Sequence, residues 1–132
     1  MGDFKKLDVW QAAHLLACAV YKSTCIFPKT EAYGLTSQLR RSAASIPANL
    51  AEGCGRSGDV EFGRFVRISL GSATELEYHL LLSRDVGLLD ESTYTQLSAQ
   101  ARRIQGMLAG LIRALKSNSS HSRSKGANAN SQ

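Results

Sequence analysis

Apolar residues recur along this chain at three- and four-residue spacing, and no stretch longer than a few residues alternates with period two. That is the period of a helix turning by about 100° per residue, so the chain reads as all-α. Four segments carry the pattern. In the first, Trp10, Ala13, Ala17, Val20 and Thr24 form a stripe behind Asp8, a suitable N-cap with Gln11 three positions on, and Pro28 closes the segment. The second runs from about Thr36 to Gly53 with Leu39, Ala43, Ile46 and Leu50 on one side. The third starts at Ser57 or Asp59 and carries Phe62, Phe65, Val66, Leu70, Ala73, Leu76 and Leu80, ending near Gly87, a typical C-cap residue. The fourth starts at Asp90 and repeats Leu97, Ala101, Ile104, Leu108, Leu111 and Leu115. Short connections make sequential helices antiparallel, so the expected fold is an up-down four-helix bundle over residues 1–116.

The second segment has more than one unusual face. With Leu39 at zero on a helical wheel, Ala43, Ile46 and Leu50 fall within about 40° of it. Arg41, Ala44, Ala48, Ala51 and Gly55 gather on the opposite side, and Gln38, Ser42, Ser45, Asn49, Glu52 and Arg56 form a polar row between. A solvated face is usually rich in Lys and Glu. Two readings follow: alanine is present as the best helix former, or the small residues let another subunit approach closely. Pro47 lies inside this segment, where it removes a backbone donor and clashes with the preceding turn. A kinked but continuous helix is expected, with the Ser42 and Ser45 hydroxyls serving the carbonyls that lose a partner.

After Lys116 the sequence becomes "SNSSHSRSKGANANSQ", without a large apolar residue to offset ordering entropy. Residues 117–132 are expected to form a disordered polar and basic tail. Charge follows the same division. The formal net charge is +5, yet from Ser92 onward there are six basic residues and no acid, while residues 1–91 hold ten basic and eleven acidic residues. Such asymmetry suggests a polyanionic partner.

Cys18, Cys25 and Cys54 are odd in number, and Cys18 and Cys25 would lie about 10 Å apart on one helix, beyond disulfide reach. "MGDFKKLDVW" lacks a signal peptide's apolar core, Lys6 stands where a myristoylation signal has Ser or Thr, and Leu15 to Tyr21 is too short to span a bilayer. A cytoplasmic protein with no membrane role is expected.

Gly53-Cys54-Gly55-Arg56-Ser57-Gly58 spells G-x-G-x-x-G, but a helix precedes it where a dinucleotide site needs a strand. Asp59 and Glu61 already place negative charge in the following turn, so these glycines are expected to supply the turn's backbone freedom. No Glu has a His three residues later, as a di-iron bundle requires, so neither metal nor cofactor is expected. Glu75 and His79 share a face as a surface pair. Glu52, Glu75 and Glu77 are expected to meet Arg40, Arg41 or Arg64 across the second and third helices rather than to form an acid–base pair. A hydrolase built on those glutamates is the least favoured function, and no nucleophile stands beside a histidine in a recognisable arrangement. The remaining signal is cationic: Arg40, Arg41, Arg56, Arg64, Arg67, Arg102, Arg103, Arg113 and Lys116 are the candidate nucleic-acid contacts. The candidate subunit interface is Arg41, Ala44, Ala48, Ala51 and Gly55.

"YGLTSQLRRSAASIPANLAEGCGR" (33–56) and "EFGRFVRISLGSATELEYHL" (61–80) resemble the four-helix-bundle proteins encoded in intervening sequences of bacterial 23S rRNA genes. The likeness runs from about Leu7 to Leu115 and rests on the Tyr-Gly-Leu, Gln-Leu-Arg-Arg, Ile-Pro-Ala-Asn and Ala-Glu-Gly runs. It implies a cytosolic homopentameric ring without assigned enzymatic activity. It also implies kinship with a pentameric accessory protein of diversity-generating retroelements, which binds nucleic acid and a reverse transcriptase. The resulting expectation is a non-enzymatic oligomer that binds RNA or DNA. The alternative is an adaptor whose arginines and tail meet an acidic protein.

Overall fold

The computed structural model describes the backbone of residues 2–130 and the side chains of residues 2–118. Four helices account for the fold, α1 (Asp8–Ser23), α2 (Leu35–Cys54), α3 (Gly58–Asp85) and α4 (Glu91–Asn130), with 3-10 turns at Phe4–Lys6, Thr24–Ile26 and Lys29–Glu31. Among the described residues there is no strand. Helix α1 packs on α2 and α4, and α3 on α2 and α4, which is the arrangement of an antiparallel up-down four-helix bundle. Connections of three residues between α2 and α3, and five between α3 and α4, leave no room for a crossover.

The four apolar stripes meet as one core. Leu16, Val20, Leu39, Ile46, Leu50, Phe62, Val66, Leu76, Leu80, Ile104 and Leu108 are all fully buried. Each such side chain stabilises the fold by about 1.5–3 kcal/mol relative to exposure. Trp10, Leu70, Leu111 and Leu115 of the same stripes are only partly covered.

A side-chain bond made by the N-cap residue marks the start of α4 but not of α1, α2 or α3. Asp8 is the first residue of α1 rather than its cap; Leu7 takes the extended cap position and makes no side-chain cap bond. The 3-10 turn before it moves the capping upstream. Asp3 Oδ1 accepts from the Lys5 N–H at 3.0 Å, and Gln11 Nε2 donates to the Lys5 carbonyl at 2.8 Å. Asp8 still sets negative charge in the first turn of α1, where the helix dipole favours it. At α4, Asp90 is the cap, with Oδ1 accepting from the Thr93 N–H at 2.7 Å. That bond holds the Asp90 carboxyl below its ordinary value of 3.8.

Helix α2 is continuous across Pro47. Its serines do not act as expected: Ser42 Oγ donates back to the Gln38 and Leu39 carbonyls, and Ser45 Oγ bonds Ser72 Oγ at 2.8 Å. Because a helical side chain points toward the N-terminus, a serine before the proline reaches the turn upstream of it. The carbonyl left without its helical donor by Pro47 is that of Ala43, four residues back, while the two carbonyls next to the proline gain side-chain donors, Ile46 O from Ser69 Oγ of α3 at 2.9 Å and Ser45 O from Asn49 Nδ2 at 2.8 Å. Part of the polar row is thereby an α2–α3 seam rather than a solvated side.

The glycines near the α2–α3 turn divide the expected role between them. Gly58 has φ +81°, a left-handed conformation that a side chain would strain, whereas Gly55 is right-handed at φ −83°. Gly53 serves packing: a Cβ there would lie 2.9 Å from Phe65 Cβ and 3.0 Å from Phe62 Cδ1. At the other end of α3, Gly87 has φ +82°, and the Leu88 N–H closes back onto the Ser83 carbonyl at 2.9 Å. The backbone of α4 is helical to Asn130, while the side chains of residues 119–132 lie outside the described residues, and the expected disordered tail falls largely there.

Candidate nucleic-acid interface

The nine candidate cations separate into two groups. Arg40 is folded onto its own bundle: Nε donates to Thr24 Oγ1 at 2.9 Å, Nη2 to the Tyr21 carbonyl at 3.3 Å, and its guanidinium lies 4.8 Å from the centre of the Tyr21 ring. It is a clamp on the C-terminal end of α1, where free carbonyls favour a cation. Arg56 is 2.6 Å from Glu52 and Arg64 is 3.2 Å from Glu61; the guanidiniums lie over the Phe65 ring at 5.5 and 4.5 Å. Arg102 bonds Glu77 of α3 at 2.9 Å. These exposed pairs add little stability, under about 1 kcal/mol each, but they lower the net positive field of that surface.

Arg41, Arg67, Arg103, Arg113 and Lys116 form the second group. All are exposed and, among the described residues, none is within salt-bridge distance of an acid. Two of them converge. Arg67 of α3 and Lys116 of α4 line one cavity of about 120 Å³ with Asp59, Val60, Gly63, Ile112 and Leu115. Gly63 lies at the same place: a Cβ there would sit 3.3 Å from Arg67 Nη1 and 3.8 Å from Leu115 Cδ1. Arg102 and Arg103, adjacent in sequence, diverge: the first borders a groove between α3 and α4, the second one between α1 and α4.

The glutamates are partnered differently from expectation. Instead of crossing between α2 and α3, Glu52 meets Arg56 one turn on, Glu75 meets His79 at 3.1 Å, and Glu77 crosses to α4. An i,i+4 partner is in reach whatever the tertiary structure, so it outcompetes a cross-helix one. Glu52 and Glu75 are exposed and therefore lack the burial that would tune a carboxyl for acid–base work.

One pairing escaped sequence reading. His14 Nε2 lies 3.7 Å from Cys18 Sγ, with the imidazole stacked on Trp10 at 5.1 Å. The i,i+4 spacing was the available signal. Among the described residues neither side chain has a further side-chain hydrogen-bond partner to orient it, as a catalytic pair needs. Burial pushes the Cys54 thiol up, away from reactivity. Among the described residues no three His, Cys, Asp or Glu side chains are placed to share a metal ion. No helix there is long and apolar enough to cross a membrane.

The candidate subunit-interface row lies at the surface: Arg41, Ala48 and Gly55 are exposed, Ala44 and Ala51 half-buried. It is turned away from the bundle's core, as the wheel placed it.

The fold is shared with a protein of unknown function from the S23 ribosomal protein family of Bacteroides thetaiotaomicron VPI-5482, known from a crystal structure. That protein superposes with a TM-score of 0.71 at 23% identity, over 79% of this chain and 97% of the other. No curated protein matches the chain at a significant level. The model of the 23S rRNA-intervening sequence protein family matches residues 5–110, which takes in all of α1, α2 and α3 and half of α4. The chain therefore belongs to the 23S rRNA-intervening sequence protein family.

Proposed function

We propose that this is a non-enzymatic, cytoplasmic bacterial protein that assembles with copies of itself and binds an RNA or DNA backbone through its unpaired cations. The observation that carries the reading is the second cationic group. Arg67 and Lys116 border one cavity together with Asp59, and among the described residues no acid lies within salt-bridge distance of either; Arg103, at the α1–α4 groove, and Arg113 are further cations of α4 without such an acid. A cation left unpaired on a folded surface is free to replace a phosphate's counterion, which drives non-specific binding.

Assembly is supported by the exposed Arg41, Ala44, Ala48, Ala51 and Gly55 row, and five subunits is the number the family resemblance implies. A ring would repeat each cationic patch and raise affinity by avidity. The non-enzymatic reading is supported by exposed, singly partnered glutamates and an unoriented Cys18–His14 pair.

The test is fluorescence anisotropy with labelled RNA and DNA oligonucleotides at low and moderate salt, on a preparation whose subunit number is read by light scattering. Binding should weaken steeply with salt, and replacing Arg67 and Lys116 together by Ala should lower the log–log salt slope by about 2. Absence of binding to any oligonucleotide at low salt overturns the nucleic-acid reading. A monomer at micromolar concentration overturns assembly. Recovery of an acidic protein after nuclease treatment, with no oligonucleotide bound, favours an adaptor, with a reverse transcriptase among the partners to examine.

A further inference from the structure

A second feature of the α3–α4 contact is not used by backbone binding alone. Thr74, Glu77, Tyr78 and Leu81 recur along one stripe of α3 and, with Tyr94 and Arg102 of α4, line a groove of about 370 Å³. That volume is within the range of cavities that take small organic ligands. Tyr78 is 58% exposed at its side, whereas Tyr94 is nearly buried and covered on one face by the Arg84 guanidinium at 4.3 Å. The groove thus offers one open aromatic ring beside an apolar floor.

Charge in the groove is balanced, one acid against one base. The acid of the groove, Glu77, is already taken by Arg102 Nε at 2.9 Å. That bond also orients the guanidinium, whose Nη nitrogens have no acceptor among the described residues. Arg102 stands on the segment from Ser92 onward, which contains no acid.

We infer that this groove holds an unpaired base of a single-stranded nucleic acid, stacked on Tyr78, with the adjoining phosphate at Arg102. The inference rests on the nucleic-acid reading above and adds a strand preference to it. Bases in a duplex are stacked on one another, so only an unpaired base reaches an aromatic side chain. Stacking tolerates any base, which suits a groove with one aromatic wall and few fixed donors.

The experiment compares four labelled chains of equal length: oligo(dT), oligo(U), an abasic deoxyribose-phosphate chain and a DNA duplex. Tyr78→Ala should weaken oligo(dT) and oligo(U) by at least about fivefold, and Tyr78→Phe should retain binding. The abasic chain should bind the unmodified protein more weakly than oligo(dT) and be indifferent to Tyr78→Ala. The ratio of the oligo(dT) to the oligo(U) effect shows whether DNA or RNA is preferred. Because Tyr78 is exposed, melting followed by circular dichroism should show both variants folded. Equal affinity of the unmodified protein for abasic and base-bearing chains, or an unchanged oligo(dT) affinity in Tyr78→Ala, overturns the inference. So does displacement of oligo(dT) by a polyglutamate peptide as effective as that by unlabelled oligo(dT). Binding that depends on Arg67 and Lys116 but not on Tyr78 sinks the stacking site alone; no binding at all removes the nucleic-acid reading and the site with it.

Discussion

The contact between α2 and α3 and the contact between α3 and α4 use similar residues to different ends. Across the first, small side chains bring the helices close: Gly53 sits against Phe62 and Phe65, Ser45 bonds Ser72, and Ser69 reaches the Ile46 carbonyl beside Pro47. The arginines near it, Arg56 and Arg64, are held in ion pairs and over the Phe65 ring. Across the second, cavities remain at the margins, and Arg67, Lys116 and Arg102 border them. An arginine beside a one-turn acidic neighbour is paired locally; on the acid-free α4 segment Arg102 reaches an acid only across the contact, on α3, and Arg103 and Arg113 have none within salt-bridge distance among the described residues.

Four substitutions sharpen or break that contrast. The largest effect belongs to Gly53→Val, which forces a branched side chain against Phe65 and should lower unfolding free energy by about 2–3 kcal/mol in urea titration. Its counterpart on α4, Gly106→Ala, meets nothing within 4 Å and should raise stability by about 0.5–1 kcal/mol. If both were destabilising by similar amounts, Gly53 would not be a point of close approach between α2 and α3.

Arg40→Ala comes next. It removes the bonds to Thr24 and Tyr21 and should cost about 1–2 kcal/mol of stability, while oligonucleotide affinity at matched salt stays within about twofold. A tenfold loss of affinity in a folded Arg40→Ala protein, about 1.4 kcal/mol, would move Arg40 from the structural to the binding group.

Asp90→Ala should have the smallest effect, a modest fall in Tm at neutral pH through loss of the α4 cap. Since the folded-state carboxyl is held below 3.8, chiefly by the Thr93 N–H, its contribution is present above the unfolded-state value and lost as pH falls toward the folded one. The Tm difference between unmodified and Asp90→Ala proteins should therefore shrink below about pH 4. A difference that grew on acidification would mean that the cap does not act through the carboxylate.

Much of the fold was legible because helical periodicity is a local property. Leu39, Ala43, Ile46 and Leu50 are read as one stripe from sequence and are all buried. The cap of α1 lies one residue before the expected Asp8, at Leu7, because the 3-10 turn capped by Asp3 sets the path by which the chain enters the helix. The candidate site was legible as a set of cations but not as a constellation. Sequence alone could not show that Thr24 and Tyr21, distant from Arg40 in the chain, come to lie beside its guanidinium.

What the sequence by itself determined is the helical class, the four core stripes, the charge asymmetry and, through the Tyr-Gly-Leu and Ile-Pro-Ala-Asn runs, the family. These depend on spacing within a helix or on residue identity, and neither needs a partner element. Only the tertiary structure decided which cations are spent and which are free, which residues serve the carbonyls around Pro47, and that Gly53 exists for closeness rather than for turning. Such properties depend on distances between atoms far apart in the chain, and those distances are settled only when the stripes have docked.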